Sequence, residues 1–119
     1  MRFGLSFPLA YQLSDVAAVA ELAREAEISE WDGVFVWDHL KLIGMPSLAD
    51  PWMALALIAH VTQRIRFGTL VTPLFRRNPV KLARETVTLD HLSKGQLIFG
   101  SRTWLRSIWR NQHIWRTTG

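Results

Sequence analysis

The chain has 119 residues, of which 49% are hydrophobic, so it is long enough for one domain with its own core. It has no cysteine, which excludes disulfides and cysteine-ligated metals. Its formal net charge of +4 comes entirely from residues 101–119, because residues 1–100 hold ten basic and ten acidic side chains. No apolar run approaches the roughly 18–20 residues of a membrane span, and the amino terminus lacks the pattern of a signal peptide. We therefore expect a soluble, cytoplasmic protein.

The first thirty residues predict one strand and one helix. Residues 2–7 alternate between polar and apolar and predict a strand, which Pro8 ends. Ser14 is a suitable N-cap for the segment that follows. Apolar side chains then recur at helical spacing with charged residues between them, which predicts an amphipathic helix over 15–30.

The next segment predicts a buried strand followed by a covered helix. Residues 33–38 form the second predicted strand, and 34–37 have no polar break, which is typical of a strand buried on both faces. Asp50 and Pro51 form a strong helix start, an N-capping acid followed by proline at the first helical position. Residues 52–61 are apolar nearly all round, so we expect other elements to cover this helix.

The third unit repeats the same order. Residues 64–71 predict a third strand, and Asn78 followed by Pro79 repeats the Asx-Pro helix start. The third helix should end at Gly95. Residues 96–99 predict the fourth strand.

The predicted strands start near residues 2, 33, 65 and 96, a period of about 31 that suits one strand-helix crossover. A constant period implies parallel strands with right-handed crossovers, either in an open doubly wound sheet or in a (β/α)8 barrel. Residues 7–10 contain no glycine-rich phosphate loop, which favours the barrel. A barrel needs about 250 residues, so the predicted fold is α/β, a partial (β/α)8 TIM barrel of four strands and three helices.

Polar groups at the ends of these strands are the candidates for chemistry. Asp38 and His39 follow the second strand, at the carboxyl end where α/β folds place their sites, and imidazole serves as acid or base near neutrality. In the alternative, both residues only cap the strand. Arg76 and Arg77 lie at the same face and suit a phosphate group, unless they form a solvated loop. No group of residues has metal-ligand spacing.

Several motifs occur in an order that resembles one known family. They are Arg2-Phe3-Gly4-Leu5, Trp37-Asp38-His39-Leu40, Asp50-Pro51-Trp52, Phe67-Gly68-Thr69-Leu70-Val71-Thr72-Pro73, Arg77-Asn78-Pro79, and the helix ending Leu89-Asp90-His91-Leu92-Ser93-Lys94-Gly95. Together they resemble the amino-terminal part of the luciferase-like oxidoreductases, which are (β/α)8 barrels that use FMN or the deazaflavin coenzyme F-420. The resemblance implies hydride transfer or monooxygenation of a small-molecule substrate.

The resemblance also implies roles for individual residues. It implies that His39 is catalytic, near the redox ring, with Asp38 as its orienting partner. It implies that Thr69, Leu70 and Val71 bind the cofactor through a kinked backbone, often with a non-proline cis peptide, that supports the ring from behind. An ordinary buried strand ending is the alternative there. We assign Arg76 to the cofactor site as well.

Residues 101–119 depart from the family pattern. We divide the chain into a half-barrel, residues 1–100, and this tail rich in arginine and tryptophan, and we hypothesise a truncated or frameshifted reading frame with reduced or no activity. The alternative is a non-catalytic, self-associating half-barrel remnant. Exposed sheet edges predict a homo-oligomer. The tail composition also suits nucleic-acid or membrane-surface binding, but four charges without an amphipathic period disfavour both.

Overall fold

The computed structural model describes residues 1–39 and 48–102 and has strands and helices in strict alternation. The predicted tail, apart from its first two residues, lies outside these ranges. Two short 3-10 helices, Tyr11–Ser14 and Leu74–Arg76, lie in the loops after the first and third strands. The main elements in chain order are β1 (Gly4–Phe7), α1 (Val16–Ile28), β2 (Gly33–Val36), α2 (Pro51–Val61), β3 (Arg66–Pro73), α3 (Pro79–Leu92) and β4 (Leu97–Arg102).

The four strands form one parallel sheet in the order β1-β2-β3-β4. Each strand therefore pairs with the next one along the chain, which confirms the predicted repeat of strand-helix units. A doubly wound sheet reverses its strand order at a switch point, and no reversal occurs among the described strands. The order is that of consecutive barrel strands, with β1 and β4 as the outer strands of the described sheet.

The core lies between one face of this sheet and the three helices. Alternate residues of β2, Val34 and Val36, point into it and are almost fully buried. From the helices it receives the small and branched side chains of one face each, including Val19, Ala23, Leu55, Ile58, Leu82 and Leu89. The other sheet face carries the remaining alternate positions, and these lead to the candidate site.

The strand boundaries differ from the predicted ones in two informative ways. The strand β2 ends at Val36, and Trp37 is 40% exposed, so the expectation that 34–37 are buried on both faces is wrong at its last residue. By alternation Trp37 lies on the face opposite the helices, where the described residues leave it half uncovered. The strand β3 continues to Pro73, two residues beyond the prediction, because an irregularity in its pairing lets the strand resume.

Two of the three predicted helix caps are confirmed, and the cap of α1 is a different residue from the one predicted. Asp50 and Asn78 cap α2 and α3 as predicted, and the Asp50 carboxylate accepts from the Met53 N–H at 2.9 Å. Ser14 does not cap α1: it lies in the preceding 3-10 turn, and Asp15 caps the helix instead by accepting from Ala17 N–H at 2.9 Å. The turn moves the helix start by one residue. Gly95 ends the α3 segment with φ of +87°, as predicted.

Candidate active site

The candidate site lies at the carboxyl ends of β2 and β3. It combines three features: a buried ion pair on Asp38, an exposed His39 beside Trp37, and a bulge in β3. The parallel pairing of β2 with β3 brings these features to the same end of the sheet. This is the end at which barrels carry their sites.

Asp38 is held by two arginines from the loop after β3. Its side chain is only 3% exposed, and its Oδ2 accepts from the Arg77 Nη2 at 2.7 Å. The Arg76 Nη2 donates to the Asp38 backbone carbonyl at 2.7 Å and lies 3.9 Å from Oδ1. Neither arginine therefore belongs to a merely solvated loop. The pair joins the end of β2 to the loop between β3 and α3.

Trp52 extends this cluster to the start of α2. The guanidinium carbon of Arg77 lies 5.6 Å from the centroid of the Trp52 ring, within the range of a cation–π contact. Trp52 is 4% exposed, and its Nε1 has no hydrogen-bond partner among the described residues. The Phe99 ring of β4 lies 6.3 Å away. Arg77 thus joins the second strand-helix unit to the third, and Trp52 extends the contact to β4.

His39 is exposed and lies beside an anchored indole. The ring centroids of Trp37 and His39 are 5.5 Å apart, with the planes inclined at 50°. The Trp37 Nε1 donates to Ser6 Oγ of β1 at 3.0 Å. The imidazole is therefore accessible to a ligand, and the side chain beside it is fixed.

A bulge in β3 forms the other side of the site. Thr69 pairs with Phe99 and Thr72 with Ser101, so β3 has one more residue than β4 over this interval. The Thr69 and Thr72 hydroxyls are buried and lie 2.5 Å apart in a hydrogen bond. Between them, Leu70 is 38% and Val71 47% exposed. The bulge thus presents two apolar side chains outward.

The backbone of this bulge has no cis bond. The described residues contain no cis peptide, so the non-proline cis bond that the resemblance often implies at 69–71 is not present. Gly100 of β4 permits a close approach at the bulge: a Cβ at this position would overlap the Leu70 carbonyl oxygen well inside van der Waals contact. Only a residue without a side chain permits that close approach.

A second electrostatic feature lies at the opposite end of the sheet. The Glu27 carboxylate accepts from three consecutive backbone N–H groups, those of Gln63 at 3.1 Å, Arg64 at 2.7 Å and Ile65 at 2.7 Å. Partial burial alone would raise the pKa of Glu27, but these hydrogen bonds and the Arg64 charge outweigh it and lower the pKa below 4.5. Glu27 fixes the start of β3 and takes no part in the candidate site.

The structure brings together only part of the predicted set. Asp38, Arg76 and Arg77 form one cluster, and Leu70 and Val71 are exposed at the bulge. The Thr69 side chain is buried, so only its backbone is available to a ligand. Sequence reasoning missed Trp37 and Ser6 as parts of the site, although Trp37 immediately precedes the Asp-His pair.

Metal-binding clusters and membrane-spanning helices are both absent from the described ranges. Among these residues no three His, Asp or Glu side chains are placed to hold a metal ion. No helix in the described part of the chain has the length and hydrophobicity needed to cross a bilayer.

Known proteins are similar to this chain in sequence. A family model described as luciferase-like monooxygenase matches residues 1–104. The F-420-dependent glucose-6-phosphate dehydrogenase of Amycolatopsis mediterranei is 38% identical over 86 residues, which cover 69% of this chain and 26% of that enzyme. The 4-hydroxyprotoasukamycin monooxygenase of Streptomyces nodosus is 33% identical over 84 residues, 66% of this chain and 23% of that enzyme.

A solved structure has the same fold. The oxygenating constituent of 3,6-diketocamphane monooxygenase from Pseudomonas putida, solved in complex with FMN, superposes with a TM-score of 0.74 at 22% identity, over 86% of this chain and 29% of that one. The chain thus spans about a quarter of the length of the relatives it matches. Because the family model takes in most of its residues, the protein belongs to the luciferase-like monooxygenase family.

Proposed function

We propose that these residues form the ring-binding part of a luciferase-like oxidoreductase site for coenzyme F-420 or FMN. The observation that carries the proposal is that the apolar bulge and an exposed imidazole lie at the same end of the sheet. Leu70 and Val71 offer the flat, apolar support that a flavin ring needs. His39 lies at the end of the adjacent strand and keeps its ring accessible.

The residues fit such a ring by their chemistry. Reduced flavin or deazaflavin supplies the reducing equivalents for hydride transfer or for monooxygenation of a small-molecule substrate. The part of this chain is to bind and orient the ring and to move a proton. His39 is the group that suits proton transfer, since imidazole gains and loses a proton near neutrality. Asp38 directly precedes His39, and its bonds to Arg76 and Arg77 fix the backbone from which the imidazole extends.

Thr69 and Arg76 also have proposed roles in binding the cofactor. The buried Thr69 hydroxyl bonds Thr72 and sets the shape of the bulge, so Thr69 acts through its backbone. Arg76 donates one hydrogen bond to the Asp38 carbonyl, and its side chain is 21% exposed. A guanidinium has five donors, so Arg76 has others with which to bind a polar edge of the cofactor.

The proposal is tested by cofactor titration of two matched variants. Val71→Asp places a charge on the bulge, whereas Val87→Asp places the same charge on α3, away from the site, at a valine of similar exposure (54% against 47%). We expect Val71→Asp to raise the Kd for F-420 or FMN at least about tenfold, because the ring would lie on a charged surface. Val87→Asp should bind like the unmodified chain. Equal effects of the two variants would contradict the proposal.

A further inference from the structure

Trp37 is held by two hydrogen bonds although much of its side chain is exposed. It is 40% exposed, yet its Nε1 donates to Ser6 Oγ at 3.0 Å. Its backbone N–H donates to the Phe7 carbonyl at 3.2 Å, which continues the pairing of β1 with β2 beyond Val36. An exposed indole N–H finds water readily, so the Ser6 hydroxyl is not needed to satisfy it. What the hydroxyl adds is the orientation of the ring.

The orientation of this indole matters to His39. The two rings lie 5.5 Å apart at 50°, so the indole limits the rotamers of the imidazole on one side. His39 is otherwise exposed and would sample several orientations. A group that transfers a proton works only within a narrow range of positions.

We infer that Ser6 is a positioning residue for the His39 imidazole and acts on it through Trp37. Ser6 lies on β1, and the fold alone brings its hydroxyl to the indole, since 31 residues separate the two in sequence. The inference rests on the proposed function for the role of His39, but the contact itself requires no cofactor. It assigns a role in the site to β1, which holds none of the predicted site residues.

The first test measures geometry in the unmodified full chain and two variants, Ser6→Ala and Ser6→Thr. Ser6→Ala removes the acceptor, while Ser6→Thr keeps a hydroxyl at the same position. By NMR we expect Ser6→Ala to shift the Trp37 indole N–H resonance and to weaken the nuclear Overhauser effect between the Trp37 and His39 rings. Ser6→Thr should retain both signals. An unchanged ring-to-ring effect in Ser6→Ala would overturn the inference.

The second test asks whether the positioning has a consequence for cofactor binding. We expect Ser6→Ala to raise the Kd for F-420 or FMN about fivefold, because an imidazole that is no longer held must be ordered when the cofactor binds, and Ser6→Thr to restore the affinity. In a His39→Ala background, Ser6→Ala should have no further effect, because its influence passes through the imidazole. Additive effects of the two substitutions would overturn the inference.

The two tests separate this inference from the proposed function. If the ring contact depends on Ser6 while His39→Ala binds cofactor as well as the unmodified chain, the positioning is upheld and the proposed place of His39 in the ring-binding site fails. If the ring contact does not depend on Ser6 while His39→Ala weakens binding, the proposed function stands and the positioning fails.

Discussion

Replacing Asp38 with asparagine tests the ion pair on which the geometry of the site depends. The Asp38 side chain is 3% exposed and pairs with Arg77 at 2.7 Å, and Arg77 in turn lies over the Trp52 ring. Asparagine has nearly the same shape but no charge. The substitution therefore leaves the guanidinium partly buried without its counter-ion.

The expected cost follows from that burial. Removing one partner from a buried ion pair costs about 3–5 kcal/mol, because the other charge is left uncompensated. Arg77 is 21% exposed, so water solvates part of its charge, and asparagine still offers one acceptor oxygen. We therefore expect Asp38→Asn to lower the free energy of unfolding by about 2–3 kcal/mol. For a chain of this size the melting temperature falls by roughly 10 °C.

The assay is thermal and urea unfolding followed by circular dichroism. The matched control is Asp90→Asn, an exposed aspartate on α3 whose substitution should stay within about 0.5 kcal/mol of the unmodified chain. The double variant Asp38→Asn with Arg77→Gln should cost less than the sum of the two single variants, because each already removes the same pair. An Asp38→Asn variant as stable as Asp90→Asn would refute the reasoning.

Three further predictions concern other parts of the chain. Gly100→Ala should destabilise the fold by about 1–3 kcal/mol in urea unfolding, because the added methyl group meets the Leu70 carbonyl. As a control, Ser101→Ala at the exposed neighbouring residue should change the free energy of unfolding by under about 0.5 kcal/mol. Equal values for the two variants would contradict the close approach. Glu27 has a lowered pKa in the folded chain, so its contribution should be complete above pH 4.5 and lost as the pH falls through the folded pKa. In acid unfolding, Glu27→Gln should flatten that pH dependence and the exposed Glu25→Gln should not; a curve unchanged in Glu27→Gln would contradict it. Light scattering after size exclusion should show association of this 119-residue chain through the outer strands β1 and β4, and a cooperative monomer would refute that.

The fold could be predicted because its signals are local and regular. The Asx-Pro helix starts at Asp50 and Asn78 depend on side chains that bond to backbone two or three residues away, and both are present. The period of about 31 fixes parallel crossovers without knowledge of any contact. The Ser14 cap failed for an equally local reason, since the short turn before α1 competes for the same residue.

The sequence pattern predicts where the candidate site lies but not which contacts its residues make. A strand predicted to be buried runs into Asp38 and His39, which indicates the carboxyl end of β2. The partner of Asp38 lies 39 residues further along the chain at Arg77, and the partner of Trp37 lies 31 residues back at Ser6. Such pairs depend on strand register, which the sequence pattern leaves undetermined. The bulge likewise depends on how many residues β3 and β4 contribute between two paired positions, which the sequence pattern does not show.

NMR mapping of cofactor binding tests the central claim most directly, because it locates the ring as well as detecting it. The full chain, labelled with nitrogen-15, would be titrated with F-420 and separately with FMN. We predict saturable shifts concentrated at the ends of β2 and β3, at Trp37, His39, Leu70 and Val71. Shifts confined to α3 or the Glu27 end of the sheet, or no shifts at the highest cofactor concentration, would contradict the proposed site.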